Sequence, residues 1–164
     1  YAEHPARRRI LDTPDADPQV VKQVKEPKLP IDDSDGGCPD DDTQYGAWTR
    51  QQPAIEIHDT DVISDDGRQI YSYLKQHGID TIIYMGVHTN MCVLGRSFGI
   101  RQMTHWGMNC ILVRDLTDTM YNPAMPPKVH HDEGTELVVQ HIEKYWAPTL
   151  LSEELMTAIK RNNP

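Results

Sequence analysis

Basic residues are in short supply in this chain. Sixteen lysines and arginines stand against twenty-five aspartates and glutamates, a net charge of −9 at pH 7. A general nucleic-acid or membrane-surface binder would carry a basic patch, so the balance argues against both partners. Cysteine is scarce too. Cys38, Cys92 and Cys110 have neither the paired spacing of a metal site nor the density of a disulfide framework, so reduced thiols are the default. No apolar run approaches the roughly 20 residues that span a bilayer. No secretory leader is visible, but the chain opens at Tyr1 rather than Met, so that absence decides little. The expected location is the cytoplasm, with a signal peptide upstream of Tyr1 left open. No internal repeat is evident, and His4 and the pair His130-His131 lack a His-x-x-x-His spacing, so no metal is assigned.

One domain is the natural reading of 164 residues, with chain enough for a modest core. Residues 1–53 do not read as an independently folded unit. Pro5, Pro14, Pro18, Pro27, Pro30 and Pro39 punctuate them, charges crowd the gaps, and Val20-Val21 with Val24 form the only apolar cluster of note before Leu29. An extended arm or insertion is expected there, lying on the surface or wrapping a partner subunit. Within it, Asp33, Asp35 and Gly36 match part of a calcium loop, but the rest of that pattern is missing, so a solvated acidic turn is the preferred reading. Cys38, between glycine and proline, reads as a loop thiol. Trp48, Trp106 and Trp146 read as core or interface anchors.

Regular structure is expected from residue 54 onward. Ala54-Ile55-Glu56-Ile57-His58 alternates like a strand. Ser64 or Asp65 is placed to cap a helix with Ile70, Tyr73 and Leu74 on one face, ended by Gly78. Residues 81–85 form a β-branched and aromatic run that reads as a buried strand, and residues 93–103 suit a helix. Cys110-Ile111-Leu112-Val113 is the next strand, residues 135–145 the next helix, and residues 149–151 a last short strand before a helix capped by Ser152. Strands alternating with helices imply an α/β fold, a three-layer α/β/α sandwich on a parallel sheet.

Cys92 stands out because it follows a strand and a glycine and falls on the first turn of the expected 93–103 helix. The free N–H groups and positive end of a helix start favour a thiolate and can hold an oxyanion. That pattern suggests a nucleophile elbow. A free cysteine is also commonly a small buried hydrophobe, and local physics alone leaves the two readings level.

The stretch Gly86-Val87-His88-Thr89-Asn90-Met91-Cys92-Val93 resembles the nucleophile motif of the isochorismatase-like cysteine hydrolases, the superfamily that includes nicotinamidases. The usual form is Gly-Val/Ile-Ala-Thr-x-x-Cys-Val, and His88 stands where a small residue is usual. The resemblance runs from about Ile55 to Leu155. It implies a Rossmann-type, isochorismatase-like parallel sheet of six strands, of which four are placed here. The amino-terminal strands are missing, so residues 54–164 would be the carboxyl-terminal part of such a domain. It implies a cis peptide bond at Val87–His88, and an oxyanion hole formed by the N–H groups of His88 and Cys92. The family's aspartate, at the end of its first strand, has no counterpart in these residues, which points to a longer protein. The family's lysine would fall near Glu56-Ile57-His58-Asp59, which has none. His58 is the nearest candidate and could take the thiol proton. His88, Arg96 and Asp115 are candidates for binding substrate: His88 could shape the pocket, Arg96 lies one turn beyond Cys92, and Asp115 follows a strand at its carboxyl end. No cofactor is expected; the family's metal site, where present, comes largely from the amino-terminal segment missing here, so a metal would be possible only with that segment.

Two functions follow. One is a cysteine-dependent hydrolase of a small-molecule amide or related C–N bond, working through a thioester on Cys92. The other, prompted by the missing lysine, is an inactive binding or regulatory module of the same fold. A four-stranded sheet with open edges also leads us to expect a homo-oligomer.

Overall fold

The computed structural model describes residues 3–37 and 52–162. The expectations for Cys38, for the acidic residues from Asp40 to Asp42 and for Trp48 lie outside the described residues.

A parallel sheet in the order β1 (Thr81–Val87), β2 (Asn109–Asp118), β3 (Thr149–Leu150) forms the centre. β1 and β2 run in step from Thr81 opposite Asn109 to Tyr84 opposite Leu112, and then slip, so that Gly86 faces Thr117. Gly86 absorbs the irregularity with φ at +107°, a backbone region that a Cβ disfavours. Among the described residues, five α-helices accompany the sheet: α1 (Pro5–Leu11), α2 (Gly67–Gln76), α3 (Ile100–His105), α4 (His131–Tyr145) and α5 (Ser152–Asn162). α3, α4 and α5 contact β2, and α2 contacts α3. Asp66 caps α2, accepting from the N–H groups of Arg68 and Gln69, one residue beyond the expected caps.

The two sides of β1 differ. Ile82 and Tyr84 pack on a core that includes Leu94, Ile100, Met103, Leu112, Val138 and Ile142. The alternate residues Ile83, Met85 and Val87 are 40%, 50% and 58% exposed. Trp146 is buried in the core, and Trp106 packs on it with its ring edge-to-face on Tyr71 at 5.4 Å, the anchoring roles expected of both.

The class is α/β as expected, but the sheet has three strands among the described residues, not four. Instead of a strand, residues 54–58 make the end of a turn followed by irregular chain, and Ile55 is exposed. The 93–103 helix is also broken. A short π-helical turn, Thr89–Val93, is followed by an irregular stretch, and α3 begins only at Ile100. The intervening Gly95-Arg96-Ser97-Phe98-Gly99 holds two glycines, the weakest helix formers after proline. A Cβ on Gly99 would sit 2.9–3.0 Å from backbone atoms of Val93 and Arg96.

Residues 3–37 of the arm are more ordered than their prolines suggest. α1 lies on α2 with Ala6 and Ile10 buried, and Arg7 donates to Ser64 Oγ and Gln69 Oε1, each at 2.9 Å. Farther along, the Val21 N–H donates to the His105 carbonyl at 2.9 Å. Glu26 receives His141 Nε2 at 2.8 Å, the Trp146 indole N–H and Arg101. Burial opposes the Glu26 charge, yet these three donors hold its carboxyl below the usual range. Ile31 enters the core and Val24 of the expected cluster packs on it, whereas Val20 and Val21 are exposed.

Candidate active site

Cys92 lies in the Thr89–Val93 turn at the carboxyl end of β1, partly exposed. The Val87–His88 peptide bond is cis. The His88 carbonyl accepts from the N–H groups of Met91 and Val93 at 3.1 and 3.2 Å, which closes the turn. Because the turn is a single π-helical winding and not the start of a long helix, the backbone contributes to the field at Cys92 only through its own few amides.

Two polar clamps fix this turn. Thr117 Oγ1 donates to the Gly86 carbonyl at 2.8 Å, so the Thr89 hydroxyl, 2.6 Å away, donates to Thr117. Asn90, 5% exposed, exchanges bonds with the Met120 backbone: its Oδ1 accepts from the N–H at 3.0 Å and its Nδ2 donates to the carbonyl at 3.1 Å. The remaining Nδ2 hydrogen goes to Asp33 at 2.7 Å. α4 packs against the same turn.

Arg96 lies against Cys92. Its N–H points to the Cys92 carbonyl at 3.4 Å, and the contact of its guanidinium with the sulfur raises its own pKa, with Asp65 adding to the effect. Asp118 lies opposite Val87 in the sheet register, at the end of β2. Its Oδ1 accepts from His131 Nε2 at 2.9 Å, Thr135 Oγ1 at 3.0 Å and the Thr119 N–H at 2.9 Å. Burial raises the Asp118 carboxyl, but the bonds from His131 and Thr135 outweigh it and leave the carboxyl below its usual range. The other ring nitrogen of His131 faces the Tyr121 carbonyl at 3.0 Å. Both partners can only accept, so the ring satisfies both only as an imidazolium. Asp118 accordingly raises the His131 pKa.

The structure thus brings Cys92, His88 and Arg96 together and leaves the other two candidates apart. Asp115 accepts from the Ser152 N–H at 2.8 Å and Oγ at 2.6 Å, bonds that hold its carboxyl below the usual range and fasten the start of α5. His58 is exposed in a turn, with its N–H donating to Asp61 Oδ2 at 2.8 Å. Thr89, Asn90 and Thr117 were not singled out from the sequence. Two buried-type polar residues beside a candidate nucleophile were the available signal. No cluster of three metal-ligating side chains occurs among the described residues. Three surface hollows of about 600, 640 and 560 Å³ are lined by residues 55–64, by residues 28–34 with Pro126 and Pro127, and by residues around Cys110 and Trp146, and none of them includes Cys92.

A strand, a glycine and a cysteine-bearing turn on a parallel sheet define a class, and comparison with known proteins agrees. The family model for the isochorismatase domain matches residues 47–147. The chain belongs to the isochorismatase domain family. It is similar in fold to the crystal structure of an isochorismatase-like hydrolase from Alkaliphilus metalliredigens, with 21% identity and a TM-score of 0.51 over 68% of this chain. The match spans 60% of that protein's length. No curated protein matches the chain.

Proposed function

We propose that this chain carries the nucleophile-bearing part of a cysteine hydrolase acting on a small-molecule amide or related C–N bond, as in the nicotinamidase-related branch of the family. The single observation that carries the reading is the placement of Cys92: partly exposed, on a clamped turn at the carboxyl end of β1, with Arg96 beside its sulfur. The Arg96 guanidinium sets a positive charge beside the attacking sulfur. The sulfur attacks the carbonyl carbon, a C–S bond forms, and the C=O pair moves onto oxygen, where the N–H groups of His88 and Cys92 receive it. The C–N bond then breaks as the proton that His58 took from the thiol passes to the departing amine. Water gives a proton to His58 and adds to the thioester, the C–S bond breaks, and the acid leaves with the thiolate restored.

His88 and Arg96 are the proposed substrate contacts, while Asp115 is engaged by Ser152 at the start of α5. His58 is the proposed proton acceptor, and it comes from an exposed turn that touches Asp61. No cofactor enters these steps. A homo-oligomer is part of the same proposal, supported by the half-exposed, uncharged side of β1, a sheet edge among the described residues. Light scattering on the purified chain tests it, and a monomer at micromolar concentration would remove it. For the chemistry, release of ammonia or amine from a panel of small amides, with trapping of a Cys92-linked acyl group by mass spectrometry, is the test. Hydrolysis with no acyl adduct at Cys92 would refute the mechanism.

A further inference from the structure

The acidic turn 31–37 reaches the nucleophile turn directly. Asp33 Oδ2 accepts from Asn90 Nδ2 at 2.7 Å, although 57 residues of chain separate the two. Asn90 lies two positions before Cys92, is almost fully buried, and has its other amide groups committed to the Met120 backbone. Without Asp33, one buried N–H hydrogen loses its acceptor, and the pull that aligns the Asn90 side chain goes with it.

Asp33 is itself fixed from several sides. Ile31 is in the core, and the Asp32 N–H donates to the Pro126 carbonyl at 2.9 Å. Asn122 Nδ2 donates to Asp35 Oδ2 at 2.9 Å. Gly37 lies so close to Met120 that a Cβ would stand 2.5–2.6 Å from it. An acid needed only for solubility would not be built in this way. A group that orients another side chain must have its own position set by packing, and Asp33 does.

We propose that Asp33 is a positioning residue for Cys92, acting through Asn90 to hold the turn in the geometry in which the thiol reacts. The inference rests on reading Cys92 as the nucleophile, and it makes the arm a wall of the site. The chemistry the bond needs is an oxygen acceptor at that point, whatever its charge.

The test needs no substrate. Alkylation of Cys92 by iodoacetamide at neutral pH is followed on the Cys92 peptide by mass spectrometry, with thermal melting of the same samples. Asp33→Ala is expected to slow alkylation by about tenfold. Asp33→Asn, which keeps an acceptor oxygen, should stay within about twofold of the parent. Asp33→Glu, whose carboxylate is displaced by one methylene, should fall between them. A merely structural role lowers the Tm and leaves alkylation of the folded protein unchanged. Unchanged alkylation in folded Asp33→Ala, or equal slowing in Asp33→Asn, overturns the proposal. If Asp33→Ala does not fold, the Asn and Glu variants decide: slowing in Glu alone supports it, and matching rates overturn it. Alkylation that ignores Asp33 in a protein that hydrolyses amides removes this inference alone, whereas amide hydrolysis surviving in Cys92→Ala removes the hydrolase reading instead.

Discussion

Residues 54–64 and 81–93 have similar ingredients, a short strand-favouring apolar segment leading to a turn with a histidine, and they end up differently. The first finds no strand beside it: Ile55 is exposed, and His58 meets Asp61 three residues away. The second runs beside β2, which supplies backbone partners from Thr81 to Tyr84 and a hydroxyl, Thr117, to the turn that follows. Its turn then takes Asn90 into a buried exchange with Met120. Alternation supplies a face, but a strand needs a neighbour for its N–H and C=O groups, and a rigid site needs buried partners for its side chains.

The strongest way to break this comparison is at Cys92. Cys92→Ala is expected to lower amide hydrolysis by more than about a thousandfold while the melting curve stays put, because the nucleophile is lost and the thiol is only partly buried. Activity surviving in the purified variant would place the chemistry elsewhere. Next comes the clamp. Asn90→Ala strips three bonds from a buried position and leaves the Met120 groups unpaired, so a loss of about 2–3 kcal/mol in unfolding free energy, read from denaturant curves, is expected. The same substitution at exposed Glu56, in the other turn, should cost less than about 0.5 kcal/mol. A loss at Asn90 no larger than at Glu56 would erase the contrast.

The role of His58 gives a smaller effect. His58→Gln is expected to reduce turnover by about tenfold, some 1.4 kcal/mol of barrier, below the hundredfold of a well-seated general base. Full activity in that variant would leave the first turn with no part in catalysis. The smallest effect concerns pH. The His131 pKa is raised, so its contribution is complete below about pH 6.5 and is lost as the pH rises through the higher folded value. The Asp118 carboxyl is lowered, so its share is present above about pH 4 and is lost as the pH falls below that. With side chains 36% and 53% exposed, the pair is worth no more than about 1 kcal/mol after screening. Stability should therefore decline from pH 6 to alkaline pH more steeply in the parent than in His131→Gln. Parallel curves would show that the imidazolium does not fasten this end of β2.

Much of the site's location was legible in the residues. The run at 81–85 is short, β-branched and ended by a glycine, and those properties favour a strand wherever a partner exists. Gly86 suits the backbone break at the end of β1, and Cys92 follows at the spacing that carried the family resemblance. The helix signals of α2, α4 and α5 are local and landed within a few residues of the observed ends. Non-local matters were decided only in three dimensions. The 54–58 alternation became a turn end and irregular chain because no edge received it, and glycines at 95 and 99 let tertiary packing end the helix after Cys92. The arm's prolines and charges signalled an extended chain. That it docks through Ala6, Ile10, Glu26 and Ile31, and that Asp33 meets Asn90, depended on surfaces many tens of residues away. Sequence determines which backbone and side-chain groups need a partner; the tertiary fold alone determines which partner each one meets.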